Sequence, residues 1–166
     1  MFDMFYPDEC ASSAYLIDYK GMYEQGYRGI IYDIDNTLVP HGAPADERAV
    51  KLFAGLKKMG FDYLVLSNNK EQRVKSFALD IGAQYIYKAD KPRKRGYIKA
   101  MEMLGTDVKT TLFIGDQLFT DVWGAKRCGI RNILVKPIDK KEEIQIVLKR
   151  RLERIVMYFY FRKHKA

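Results

Sequence analysis

Cysteine, histidine, tryptophan and long apolar runs are all scarce in this 166-residue chain. The two cysteines, Cys10 and Cys128, lack the spacing of a zinc site or a redox pair, so we expect free, buried thiols in a reducing compartment. The longest apolar run, Ile155 to Phe161, is too short to span a bilayer. The first residues also lack the basic flank and apolar stretch of a signal peptide. These absences predict a cytoplasmic protein without a disulfide framework or a membrane-spanning helix.

Positive charge, in contrast, is abundant. The chain has 29 Lys and Arg against 21 Asp and Glu, a formal net charge of +8, and its 48% hydrophobic content is typical of a folded globular protein. Much of the excess lies at one end, because residues 136–166 contain ten Lys or Arg and four Asp or Glu, a difference of +6. Such a charge concerns the partners of a protein rather than its fold.

Five short apolar runs alternate with segments of helical periodicity. Strands separated by helices form parallel sheets with right-handed crossovers, and the length fits one α/β domain. The predicted strands are 29–33, 61–66, 84–88, 111–115 and 132–136. The predicted helices between them are 46–59, 70–81, 95–105 and 119–128.

Two acidic residues directly follow the first predicted strand. Asp33 and Asp35 are one residue apart, so in an extended chain their side chains lie on the same side. Carboxylates that close repel each other unless a cation lies between them or one holds a proton. A divalent cation satisfies that condition, and so does a nucleophile paired with a proton donor. The pair therefore predicts a site that handles phosphate.

Polar residues also follow the other strands, and the carboxyl ends of parallel strands meet at one edge of the sheet. We therefore expect them to lie close together; they are Ser67, Asn68, Lys91, Asp116 and Asp121.

Phosphoryl transfer needs a nucleophile, a proton donor and positive charge around the transferred oxygens. Asp33 can attack phosphorus, and Asp35 can protonate the leaving oxygen and then activate water. Carboxylate oxygens suit Mg²⁺, and the candidate ligands are Asp33, Asp116 and Asp121. The candidate phosphate ligands are Ser67, Asn68 and Lys91.

These residues, in this order, resemble the four motifs of haloacid dehalogenase-like (HAD) phosphatases over about residues 29–137. The matching pattern is Asp33-x-Asp35-x-Thr37, then Ser67, then Lys91, then Gly115-Asp116-x-x-x-x-Asp121. The resemblance implies a three-layer α/β/α Rossmann-like fold without a large cap domain. It also implies catalysis through an aspartyl-phosphate on Asp33, with Asp35 as general acid and base. The implied phosphate ligands are Thr37, Ser67 and Lys91. The implied magnesium ligands are Asp33, the backbone carbonyl of Asp35, and Asp116, with Asp121 acting through the metal's water shell or by orienting Lys91.

More narrowly, the sequence segments around Asp33, Ser67 and Lys91 resemble those of the YqeG-type class IIIA subfamily. The relatives of this subfamily include mitochondrial phosphatidylglycerophosphate phosphatases. The intervals between these motifs leave room for a helix and a strand but not for an inserted cap. We therefore expect an open site, which suits a large or surface-held substrate. The resemblance implies a phospholipid head group as substrate, hydrolysed at the inner membrane surface.

The C-terminal segment predicts one basic amphipathic helix over about 140–163. Its apolar stripe comprises Ile144, Val147, Leu148, Leu152, Ile155, Val156 and Phe159. The stripe can pack on the body of the protein or on a second copy, or it can lie on anionic lipid. The two arrangements can also combine, with one half docked and the aromatic end exposed.

Three alternative functions stay open from the sequence. One is a phosphatase for water-soluble nucleotide or sugar phosphates. A second is a basic nucleic-acid-binding module, although it leaves the four motifs unexplained. A third is a receiver domain, but no acid follows the third strand, where that family places its phosphate acceptor.

Overall fold

The computed structural model describes residues 1–139 and 144–165, without the side chains of residues 144 and 145. Its centre is a six-stranded parallel sheet in the order β1-β6-β5-β2-β3-β4. The five predicted strands are confirmed, with bounds shifted by at most two residues. The strands are β1 (Glu9–Ala11), β2 (Gly29–Tyr32), β3 (Asp62–Leu66), β4 (Gln84–Ile86), β5 (Thr111–Gly115) and β6 (Arg131–Val135).

Helices connect the strands largely as the periodicity predicts. The segment 46–59 is confirmed as a helix that begins after Asp46, whose carboxylate accepts a hydrogen bond from the Ala49 N–H, and ends at Gly60 in the left-handed region. The helices are α1 (Tyr19–Glu24), α2 (Glu47–Met59), α3 (Glu71–Ile81), α4 (Lys94–Leu104), α5 (Trp123–Arg127) and α6 (Ile144–His164).

The sheet is covered on both faces, which confirms the three-layer α/β/α architecture. Alternate residues of β2 point to opposite sides, so Ile30 and Tyr32 join one apolar cluster and Ile31 joins the other. Tyr32 contacts Phe53 of α2 on the first side, while Tyr97 of α4 contacts Phe113 on the second. This double burial holds the end of β2, where the acidic pair begins, at the centre of the sheet.

The predicted helix 119–128 is shorter and divided. A π-helical turn, Leu118–Val122, precedes α5. The cause is Asp121, whose Oδ2 accepts hydrogen bonds from the backbone N–H groups of Asp116 and Gln117 at 3.1 and 3.0 Å. The backbone forms a turn that is hydrogen-bonded to this carboxylate, and α5 begins only after that turn.

Strand β1 has no counterpart in the sequence prediction, because three residues are too few to show a periodicity. It is attached to the sheet edge through Asp8, whose Oδ2 accepts hydrogen bonds from both the backbone and the side-chain amide of Asn132 at 3.0 and 2.8 Å. The expectation of buried thiols is wrong for Cys10, which lies exposed on this edge strand, while Cys128 is half-buried. Both thiols are free, as expected.

Helix α6 confirms the predicted helix from residue 144, while residues 140–143 of that prediction lie outside the described residues. Of the arrangements left open for its apolar stripe, docking of the whole stripe on the body of the protein is wrong, while contact with lipid or with a second copy stays a prediction. Of the stripe's members, Val156 is buried, but Leu148, Leu152, Ile155 and Phe159 are 62%, 53%, 52% and 44% exposed. The docked face carries Glu153 and Tyr160 instead, because these side chains meet the loop after β5 and Tyr6. Over the described residues, no helix is long and apolar enough to cross a membrane.

Candidate active site

Asp33 lies in a buried position directly after β2. Its backbone N–H donates to the carbonyl of Ile114 at 2.9 Å, which extends the strand pairing and fixes the direction of the side chain. The ammonium of Lys91 donates to Asp33 Oδ1 at 2.7 Å, and Thr37 Oγ1 lies 3.4 Å from Oδ2. Burial and the carboxylates of Asp121 and Asp116 raise the pKa of Asp33, while the Lys91 charge opposes that rise.

Lys91 joins Asp33 to Asp121, since its Nζ also lies 2.7 Å from Asp121 Oδ1. Burial alone lowers the pKa of Lys91, but the two carboxylates outweigh burial and raise it, so the ammonium stays charged. The backbone beside Asp121 has no room for a side chain at Gly115, where a Cβ atom would lie 2.5 Å from Asp121 Oδ2.

Asp116 completes the buried acidic cluster. Its Oδ1 accepts a hydrogen bond from Thr37 Oγ1 at 3.0 Å, and its Oδ2 accepts one from the guanidinium of Arg150 on α6. Burial and the Asp121 carboxylate raise the pKa of Asp116 to about 6, although Arg150 and Thr37 oppose the rise. The predicted motif residues from β2, β5 and the loop after β4 therefore meet at one edge of the sheet.

The cluster fits a divalent cation. Oxygens of Asp33, Asp116 and Asp121 all lie within 4.8 Å of one another in buried positions. Carboxylates held this close repel unless positive charge compensates them, and hard oxygen donors are those that Mg²⁺ prefers. Asp33 and Asp116 are better placed than Asp121 to hold the ion. The Lys91 ammonium binds one oxygen of Asp121 and two backbone N–H groups bind the other, whereas Asp33 Oδ2 and Asp116 Oδ1 both face the neutral hydroxyl of Thr37.

The Asp35 carboxylate has hydrogen-bond partners outside this cluster. Its Oδ1 accepts hydrogen bonds from the Gly42 N–H at 2.8 Å and from Arg73 Nη2 at 3.0 Å, and Asn69 Nδ2 lies 3.3 Å from Oδ2. Partial burial raises the pKa of Asp35, but these three donors outweigh burial and lower it. The side chain is therefore an ionised carboxylate at neutral pH, and its predicted part in metal binding rests on its backbone carbonyl alone.

Ser67 and Asn68 follow β3 and line the same cavity of about 470 Å³ as Asp33 and Asp35. Asn68 also fixes the lysine loop, because its Oδ1 accepts from the Lys91 N–H at 2.7 Å and its Nδ2 donates to the Lys91 carbonyl at 3.2 Å. Ser67 Oγ accepts from the Asn69 N–H at 3.1 Å, which shapes the turn. Both residues therefore face the cavity, and Asn68 also positions Lys91.

Three charged residues at the site have no signal in the sequence motifs. They are Arg73 on α3, which pairs with Asp35, and Arg150 and Glu153 on α6, which reach Asp116 and the Leu118 N–H. Helix α6 also supplies Ile146 and Lys149 to the cavity wall. Within residues 33–91 no cap domain interrupts the fold, but the expected open site has this helix along one side.

Comparison with known proteins decides the family. The model of the haloacid dehalogenase-like hydrolases matches residues 41–129, more than half of the chain. The chain belongs to this family. It is 36% identical over 160 residues to the "Probable phosphatase YqeG" of Bacillus subtilis strain 168, covering 96% of this chain and 93% of that protein. The HAD-type phosphatase predicted from the motifs is therefore confirmed at the level of family and enzyme class.

More distant relatives agree with this placement. The chloroplastic and mitochondrial phosphatidylglycerophosphate phosphatase 1 of Arabidopsis thaliana is 28% identical, covering 89% of this HAD chain but 45% of the plant protein. Among solved structures, the 3-deoxy-D-manno-octulosonate 8-phosphate phosphatase of Moraxella catarrhalis, in complex with magnesium, phosphate and KDO, has a TM-score of 0.52 at 16% identity. The match covers 69% of this chain and 72% of that one, and it shows a shared fold.

Proposed function

We propose that this protein is a magnesium-dependent phosphomonoesterase that forms an aspartyl-phosphate on Asp33, and that its substrate is phosphatidylglycerophosphate at a membrane surface. The observation that carries the chemistry is the buried arrangement around Asp33. Lys91 binds one of its oxygens, Thr37 lies beside the other, and Asp116 lies within reach of a shared cation.

The reaction has two steps. Asp33 attacks phosphorus, the bond from phosphorus to the leaving alcohol oxygen breaks, and Asp35 gives that oxygen a proton. Water then attacks the phosphorus of the aspartyl-phosphate, Asp35 takes up a proton from the water, and inorganic phosphate leaves with Asp33 regenerated. A bound Mg²⁺ supplies positive charge that reduces repulsion between Asp33 and the phosphate.

Asp35 must hold a proton for the first step, although Arg73 and Gly42 stabilise its ionised form. The bound phosphate ester favours the protonated form of Asp35, because a nearby negative charge raises the pKa of a carboxyl group. Once the alcohol has left, the same Arg73 contact favours the carboxylate that accepts a proton from water. Arg73 is thus expected to favour the second step, in which Asp35 acts as the base.

Two surfaces support a lipid substrate. The outer face of α6 exposes Leu148, Leu152, Ile155 and Phe159, and the exposed cation Arg151 lies beside them, a combination suited to anionic membranes.

The second surface is a groove of about 780 Å³ between the inner side of α6 and the β1–β6 edge, and Asp116 borders it. Its apolar lining comprises Leu118, Leu134, Val147, Met157 and Phe161. The named activity of the Arabidopsis relative points to the same substrate.

The substrate proposal is tested by a phosphate-release assay. The protein is given phosphatidylglycerophosphate in vesicles and, separately, a panel of nucleotide and sugar phosphates, each with Mg²⁺ and with a chelator. We expect the lipid to be turned over with a kcat/KM at least about a hundredfold above that of any soluble ester, because only the lipid gains from the apolar surfaces. Efficient turnover of a soluble ester with none of the lipid would establish the alternative, a phosphatase of nucleotide or sugar phosphates.

Membrane attachment is tested on the outer face of α6. The double variant Leu152→Glu/Ile155→Glu should sediment with anionic vesicles at least about a hundredfold more weakly than the wild type, since it removes two apolar contacts and adds repulsion. Leu79→Glu is the control, because Leu79 on α3 is an apolar residue that is at least as exposed, at 67%, and lies outside this face. Equal sedimentation of all three proteins would exclude this face as the membrane contact.

A further inference from the structure

Arg150 reaches from α6 to two acceptors on a single residue of the acidic cluster. Its Nη1 donates to the backbone carbonyl of Asp116 at 2.6 Å, and its Nη2 donates to Asp116 Oδ2. Its side chain is 15% exposed, and that of Asp116 is fully buried. A planar guanidinium that binds a carboxylate and its own backbone carbonyl leaves Asp116 little freedom to rotate.

Glu153 holds this arginine in place. Its Oε2 accepts from Arg150 Nη1 at 3.0 Å, and its Oε1 accepts from the Leu118 N–H at 2.9 Å. The acid and the arginine are one helical turn apart, so α6 contacts the loop after β5 through a connected pair of side chains. Glu153 is buried, which makes the pair part of the interior rather than a surface ion pair.

The contact of Arg150 with Asp116, supported by Glu153 and called the clamp below, determines which oxygen of Asp116 faces the reaction centre. With Oδ2 bound to Arg150, Oδ1 points to Thr37, whose Oγ1 lies 3.0 Å from that oxygen and 3.4 Å from Asp33 Oδ2. The oxygen left for a cation is therefore the one on the Asp33 side. Residues that orient a metal-binding carboxylate in this way typically contribute 10- to 100-fold to metal affinity, about the range measured for outer-shell partners.

We infer that Arg150 is a positioning residue of the divalent-cation site, and that docking of α6 and binding of the cation stabilise each other. The inference rests on the proposed function only in taking Asp116 as a ligand of the cation. Coupling of two equilibria is reciprocal, so a clamp that strengthens cation binding must make the bound cation strengthen helix docking by the same factor. The C-terminal helix is then a working part of the active site and not only a membrane contact.

The direct test is isothermal titration of the metal-free protein with Mg²⁺, in the absence of any phosphate ester. We expect Arg150→Gln to weaken Mg²⁺ binding by about tenfold or more, and Arg150→Lys to fall between that variant and the wild type because it keeps the charge but loses the fork. Arg151→Gln is the matched control, since it removes the same charge from an exposed neighbour. Unchanged or tighter binding by Arg150→Gln would overturn the inference.

Helix docking can be monitored by the rate of chymotrypsin cleavage at the exposed aromatic residues Tyr158 and Phe159. We expect Mg²⁺ to slow this cleavage in the wild type and to lose that effect in Arg150→Gln. Val156→Ala loosens the docked face but leaves the Arg150–Asp116 contact in place. The coupling therefore predicts a loss of Mg²⁺ affinity in Val156→Ala that is clearly smaller than the loss in Arg150→Gln, which gives up the positioning contact as well. An equal loss of affinity in both variants would assign the effect to docking alone and overturn the positioning role. Neither readout depends on substrate identity, so a failed lipid assay leaves this test intact.

Discussion

Asp33→Asn should abolish phosphatase turnover while leaving the protein folded. The substitution keeps the size of the side chain but removes the attacking oxygen, and loss of a nucleophile typically lowers kcat by at least about 10⁴-fold. A phosphate-release assay at saturating substrate measures the effect. Asp80→Asn, an equivalent change at an exposed position on α3, should leave the rate unchanged.

The stability of this variant separates a catalytic residue from a structural one. Asp33 is buried beside Asp116 and Asp121, and burial raises its pKa, so the folded protein gains little from its charge when no cation is bound. Without Mg²⁺, the melting temperature of Asp33→Asn should therefore equal or exceed that of the wild type. With Mg²⁺, the wild type should gain stability and the variant should gain less, because one ligand is lost. A residual rate within tenfold of the wild type would remove Asp33 from the role of nucleophile.

Lys91→Met should be severely destabilising as well as inactive. The ammonium lies 2.7 Å from carboxylate oxygens of both Asp33 and Asp121, and all three side chains are buried. Removing one partner of a buried ion pair leaves uncompensated charge and typically costs about 3–5 kcal/mol. Urea unfolding at neutral pH measures the loss, and Lys99→Met, an exposed lysine on α4, provides the baseline.

A second substitution identifies the source of that loss. If the cost comes from the unpaired acids, Lys91→Met/Asp121→Asn should regain about 1 kcal/mol or more relative to Lys91→Met alone. Strictly additive losses would show that Lys91 contributes through packing of its aliphatic chain and not through its charge. Activity should stay absent in the double variant, because the positive charge beside the nucleophile is still missing.

The sequence alone was sufficient for five of the six strands and for bringing the motif residues together. A strand alternates its side chains over a few residues, and polar groups at the ends of parallel strands meet at one edge, so Asp33, Ser67, Lys91 and Asp116 could be placed together from local patterns. The four motifs were sufficient to predict the family for the same reason, because each motif consists of residues at fixed local spacing.

Only the tertiary structure decided which face of α6 packs inward. Helical periodicity showed an apolar stripe, yet Leu148 and Leu152 are exposed, while Glu153 and Arg150 face the body of the protein. Apolar burial favours the stripe, but the buried Asp116 requires a partner, and an unpaired buried charge costs more than a few exposed leucines. The periodicity of α6 cannot predict this contact, because the carboxylate that Arg150 pairs with lies 34 residues away in the chain.

The same limit applies to Arg73. It acts through a contact with Asp35 on a distant segment, so its partner could not be predicted from local spacing. The contact of Asp121 with Lys91, in contrast, is one of the two roles that the family resemblance implies for Asp121. The sequence therefore determined most of the elements, the family and the residues that we propose carry the chemistry. The fold determined how their charges are balanced, because electrostatic partners are chosen by distance in space and not by distance along the chain.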